Sequence, residues 1–75
     1  MSAFVMQEAT YRGYRIRYHN DGRWFAHIYA PLAPRCMREV PKATLAEGED
    51  ILMQRARVTI DARIERERKA SETIK

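Results

Sequence analysis

Cysteine is almost missing from this chain. Cys36 stands alone among 75 residues, so no internal disulfide can form, and with only His19 and His27 beside it there is no four-ligand zinc pattern. Such sparing use of cysteine suits a reducing compartment, and the cytoplasm is the expected location. Long apolar runs are missing too: no stretch approaches the roughly 18 apolar residues of a membrane span, and residues 1–6 lack the basic leader and apolar core of a signal peptide. No glycine-rich loop is available to cradle a phosphate, because Gly13, Gly22 and Gly48 lie far apart. There is no internal repeat and no low-complexity tract.

What is present describes one small domain over residues 1–75, with 45% apolar and 32% charged residues. A chain of this length buries only about 60% of the surface its unfolded form exposes, so without disulfide or metal it tends to lean on self-association. Its net charge of +4 is unevenly placed. Residues 1–38 carry six arginines against Glu8 and Asp21, which is the whole surplus, while residues 39–75 balance eight bases with eight acids. An arginine-rich patch favours phosphates or acidic protein surfaces.

Residues 14–19 alternate strictly, with Tyr14, Ile16 and Tyr18 on one side and Arg15, Arg17 and His19 on the other, which is the pattern of a half-buried strand. Asn20, Asp21 and Gly22 supply a turn, and a β-rich run resumes at Arg23, so 11–19 and 23–30 read as a hairpin. The faces discriminate between loop lengths. A two-residue turn at Asp21-Gly22 would set Ile16 against His27 and mix apolar with charged side chains. A three-residue loop, Asn20 to Gly22, pairs Tyr18 with Trp24, Ile16 with Ala26 and Tyr14 with Ile28, and makes one face wholly apolar. Residues 3–6 are read as either a short strand or a loose end, Tyr11-Arg12-Gly13 as the opening of the hairpin, and Gly13 as a bulge or a close backbone approach. Pro31 and Pro34 end the hairpin, and 35–40 is long enough for a third strand stopped by Pro41.

Thr44-Leu45-Ala46-Glu47 has the form of a capping box, and Glu47, Glu49 and Asp50 suit the positive end of a helix dipole. The spacing predicts a helix over 44–68, with Arg63–Glu67 and Glu65–Lys69 pairs, and a frayed tail over 69–75. Leu45, Leu52, Met53, Ala56, Ile60 and Ile64 form its apolar stripe. Gly48, unfavourable there, suggests backbone packed close to it. Ile51, Val58 and Ala62 fall on another side of the wheel, with nothing in a single-sheet monomer to cover them, and are the candidate dimer stripe. The expected fold class is α+β: an antiparallel hairpin or three-stranded sheet against one long amphipathic C-terminal helix.

A catalytic reading finds no constellation. Cys36 and His27 are not brought together by spacing, and His27, opposite Arg15 in the chosen register, is poorly placed for a cation. The chain is therefore expected to be non-enzymatic, with no cofactor, metal or membrane partner. Its informative surface is the hairpin's outer face, where Arg15, Arg17, Phe25, His27 and Tyr29, with Arg23 nearby, set aromatics among bases. Such a face suits a protein interface, since aromatic and Arg side chains populate interface centres. The alternative is RNA or single-stranded DNA, with bases stacked on Phe25 and Tyr29 and phosphates held by the arginines.

The order of these elements, with Pro31, Pro34 and Cys36 at a corner and Thr44 and Glu47 before a helix, resembles the N-terminal domain of HicB-type antitoxins over about residues 14–64. Arg35 and Gly48 stand where that family has glycine and alanine. The resemblance implies a partial ribonuclease-H-like fold without catalytic acids and a small regulatory module that binds a protein partner, in that family a small ribonuclease toxin. Operator DNA there is bound by an appended domain. The combined expectation is a homodimeric, antitoxin-like binding module acting by protein contact.

Overall fold

Alternation along the strands and a four-residue repeat along the helix together dictate two layers. The computed structural model describes residues 6–32 and 35–73, with side chains to residue 70. Strands β1 (Gln7–Tyr11), β2 (Tyr14–Asn20), β3 (Trp24–Tyr29) and β4 (Lys42–Ala43) form one antiparallel sheet in chain order, and α1 (Gly48–Thr73) packs on one face of it. The α+β class is as expected, with one strand more than the expected sheet of two or three.

The core lies between sheet and helix. Tyr14, Ile16, Tyr18, Ala26 and Ile28 from the strands meet Leu52, Ala56 and Ile60 at successive four-residue steps of α1, with Met53, Ile64 and Trp24 packed at the margin. Two tyrosines set the helix direction. Tyr18, near the end of β2, donates its hydroxyl to Glu49 Oε2 at 2.9 Å, while Tyr11, beside the start of β2, donates to Asp61 Oδ1 at 3.0 Å. The helix therefore runs antiparallel to β2. Burial and the Glu49 hydrogen bond raise the Tyr18 phenol above its ordinary value, so it remains a donor at neutral pH.

The β2–β3 loop has three residues, as the face argument requires, but they are Asp21, Gly22 and Arg23. Tyr18 consequently pairs with Ala26 and Ile16 with Ile28, two residues on from the expected partners, and His27 lies opposite Arg17 instead of Arg15. A shift of two keeps every side chain on its face, so face composition alone does not separate the registers. The observed one sets the two fully buried strand isoleucines, Ile16 and Ile28, against each other.

Three further expectations are corrected. Tyr11 ends β1 instead of opening β2: Arg12 (φ 53°) and Gly13 (φ 86°) form a two-residue turn with both backbones in the left-handed region, the primed geometry favoured by strand twist. Gly13 is thus a turn residue, neither a bulge nor a close approach. Residues 3–5 lie outside the described residues, and Met6 is not in a strand. Over 35–40 only one bridge forms, Cys36 to Tyr29. The fourth strand comes after Pro41, whose carbonyl accepts the Ala26 N–H at 3.0 Å and lines up Lys42 and Ala43 against Phe25 and Trp24.

The capping box forms as written: Glu47 N–H donates to Thr44 Oγ1 at 3.1 Å and Thr44 N–H to Glu47 Oε1 at 2.9 Å. It closes a separate turn, because Gly48 has a φ of 84° and the helix proper starts there. A Cβ on Gly48 would meet nothing within 4 Å, so its positive φ, and not close packing, explains the residue. Leu45 accordingly sits outside the helix and is 55% exposed, not part of the apolar stripe. At the other end α1 continues to Thr73, past the expected stop near 68; Arg63 pairs with Glu67 as expected, whereas Glu65 pairs with Arg68, not Lys69.

Candidate binding surface

Because α1 occupies one face of the sheet, alternation turns the other set of side chains away from it. Arg15 and Arg17 on β2 are exposed, and His19, Phe25, His27 and Tyr29 are half-buried. Cross-strand pairing arranges them in rows: His19 opposite Phe25, Arg17 opposite His27, Arg15 opposite Tyr29. The His19 ring lies 5.5 Å from Phe25, inclined 26° to it, and 5.6 Å from His27, nearly parallel at 10°. Arg15 places its guanidinium 5.3 Å from the Tyr29 ring centre and 3.7 Å from Glu8. The result is an aromatic column flanked by cations.

The unforeseen strands enlarge this face. Glu8 and Thr10 extend it from β1, and Lys42, opposite Phe25, extends it from β4. Sequence reading omitted all three because neither strand was expected; the Arg12-Gly13 turn was the available signal for β1. Arg23 lies in the β2–β3 loop instead of on the strand face. Burial, then the neighbouring His19 and Arg17, lower the pKa of His27, which keeps its imidazole neutral at physiological pH. The face thus owes its charge to Arg15, Arg17 and Lys42 against Glu8.

The candidate dimer stripe is only partly realised. Ile51 packs against the core, while Ala62 is exposed and Val58 is 61% exposed, the sole exposed large apolar side chain among the described residues of α1. Cys36 is exposed and bridges to Tyr29. Among the described residues no group of three or more His, Cys, Asp or Glu is arranged to hold a metal, and no helix is long and apolar enough to cross a membrane. No protein-family model, curated protein or solved structure matches this chain.

Proposed function

We propose that the chain is a non-enzymatic, antitoxin-like regulatory module that binds a protein partner through the outer face of its sheet and also associates with itself. One observation carries this reading: half-buried Phe25, His27 and Tyr29 sit among Arg15 and Arg17 on a sheet face opposite the helix. Arginine and tyrosine flanked by flat aromatics are the residue types that anchor interfaces. Charge narrows the partner. A surface with three cations against Glu8 selects an acidic face, and a basic toxin would be repelled unless it offered an acidic patch. The same charge argues that two copies do not meet face to face here, since their arginines would oppose each other.

Arg15 stacked over Tyr29 beside Arg17 also suits single-stranded nucleic acid, which is the second reading. One experiment separates them. A photo-crosslinking residue replacing Phe25, activated in the native host, yields protein adducts that survive nuclease and disappear with Arg17→Glu if the protein-contact reading holds. Nuclease-sensitive adducts would transfer the function to the nucleic-acid reading. Equal labelling from position 25 and from a control at Thr59 on the helix would remove the outer face as a binding surface.

A further inference from the structure

The two edges of the sheet are unlike. β4 is two residues long and follows Pro41, so little of it is left open to pairing, whereas β1 runs five residues without proline, lysine or bulge. The hydrogen-bonding groups of β1 can be assigned. A two-residue turn makes its flanking residues, Tyr11 and Tyr14, a hydrogen-bonded pair, so Gln7, Ala9 and Tyr11 direct their backbone groups at β2 and Glu8 and Thr10 direct theirs away. The far side of the sheet agrees. Ala26 N–H reaches Pro41 and the Ile28 carbonyl accepts Met37 N–H, so these residues do not bond β2; their partners Tyr18 and Ile16 are left to bond Gln7 and Ala9. Among the described residues nothing pairs with that side of β1, so Glu8 and Thr10 present N–H and C=O groups on an open edge.

We infer that β1 is the seam of a homodimer, in which two chains pair antiparallel about a two-fold axis at Ala9 and extend the sheet to eight strands. This rests on the reading of the chain as self-associating and assigns the surface. Backbone direction and charge choose the register. Outward-directed residues must face one another, which permits Glu8 against Glu8, Thr10 against Thr10, or Glu8 against Thr10. The first opposes two carboxylates. The second sets Glu8 against Arg12, a turn residue at φ 53° that cannot extend the ladder. The third uses every outward group, makes four backbone hydrogen bonds, and sets the small Ala9 side chains against each other at the axis. In that register each outer row reads Arg17, Glu8, Thr10, Arg15 across the seam, with no like charges adjacent. The two basic, aromatic faces then join into one surface about 34 Å across, at roughly 4.8 Å per strand.

Sedimentation equilibrium of the full chain from micromolar to millimolar concentration tests this with three variants. The parent should reach twice its 8.8 kDa mass. Thr10→Pro removes only the outward N–H, so far-UV circular dichroism should be kept while the dimer Kd rises roughly tenfold or more, for two lost hydrogen bonds per dimer. Should proline disturb β1 itself, Ala9→Cys with Cys36→Ser decides, because alanines facing at a non-hydrogen-bonded pair bring their Cβ atoms within disulfide reach. Oxidation should then yield the covalent dimer, while Glu8→Cys with Cys36→Ser should not. A dimer that survives Thr10→Pro and whose Ala9→Cys thiols stay uncoupled on oxidation would overturn the seam and move self-association to the Val58 side of the helix. A parent that stays monomeric would overturn both seam and self-association, leaving partner binding by the outer face standing.

Discussion

Ile16 and Arg17 are neighbours in β2, yet one is fully buried and the other exposed, and the same contrast holds for Ala26 and His27 in β3, where His27 is half-buried. The inner set is aliphatic and tyrosine, filled in by Leu52, Ala56 and Ile60 of the helix. The outer set is arginine, histidine and aromatic, with ring contacts running along the sheet and no helix over it. One strand pair thus divides its side chains by parity: every second residue fills the core, and the intervening ones line the opposite face. The sharpest test of that division is truncation at the core. Ile28→Ala should cost about 3 kcal/mol in urea unfolding, from lost burial plus the cavity left behind. In a domain whose total stability is on the order of 5 kcal/mol, that removes more than half of it and raises the unfolded fraction roughly a hundredfold, to a few per cent. A loss below about 1 kcal/mol would mean the inner face is not the core.

The helix reaches that inner face only because the chain reverses handedness at Gly48. Thr44 and Glu47 complete one turn, the backbone swings to a φ of 84°, and α1 then starts at an angle that lays Leu52, Ala56 and Ile60 on the sheet. Gly48→Ala meets no steric obstacle, so its cost isolates the backbone term, about 1–2 kcal/mol in the same unfolding measurement. A neutral or stabilising alanine would show that the cap turn merges with the helix in solution.

Smaller again is the expected stability effect on the outer face, which is where the comparison becomes informative about function. Phe25→Ala should lower stability by less than about 1 kcal/mol, since the ring is half-buried and leaves no enclosed cavity, while abolishing adducts from a crosslinker at Tyr29. A cost as large as that of Ile28→Ala would give the outer face a structural role and remove it as a binding surface.

Much of this division was legible because alternation is a local property. Residues 14–19 announce their two faces without any knowledge of partners, and the odd loop length follows from keeping Trp24, Ala26 and Ile28 beside them. Arg15, Arg17, Phe25, His27 and Tyr29 were found that way. The pairing register was not legible, because a slip of two residues preserves both faces and is decided by long-range fit between Ile16 and Ile28. Nor was β1: Gln7, Glu8, Ala9 and Thr10 bury little, so no apolar alternation marks them, and Arg12-Gly13 lacks the Asn or Asp that usually flags a primed turn. β4 is two residues positioned by Pro41 and its neighbours, below the length at which any periodicity can register. Glu8, Thr10 and Lys42 were missed from the outer face for this reason alone.

The smallest expected effects are with pH, and they separate the outer face from the helix start. His27 has a lowered pKa in the folded protein, through burial first and then through His19 and Arg17, while the unfolded imidazole titrates near 6.5. As pH falls through 6.5 the unfolded chain takes up this proton before the folded one, so stability declines from there downward and is fully present above. Glu47 acts in a lower window. Hydrogen bonds from Arg55 and from the Thr44 backbone hold its carboxyl at about 2 against an ordinary 4.5, so its contribution is complete above 4.5 and is lost as pH falls toward 2. Thermal unfolding followed from pH 8 to pH 2 should therefore show two declines. His27→Gln should flatten only the upper and Glu47→Gln only the lower, with both changes small because Glu47 is exposed and His27 only half-buried. If His27→Gln also removed the lower decline, the outer face and the helix start would be coupled, and the division between a stabilising inner face and an independent outer one would fail at that corner of the sheet.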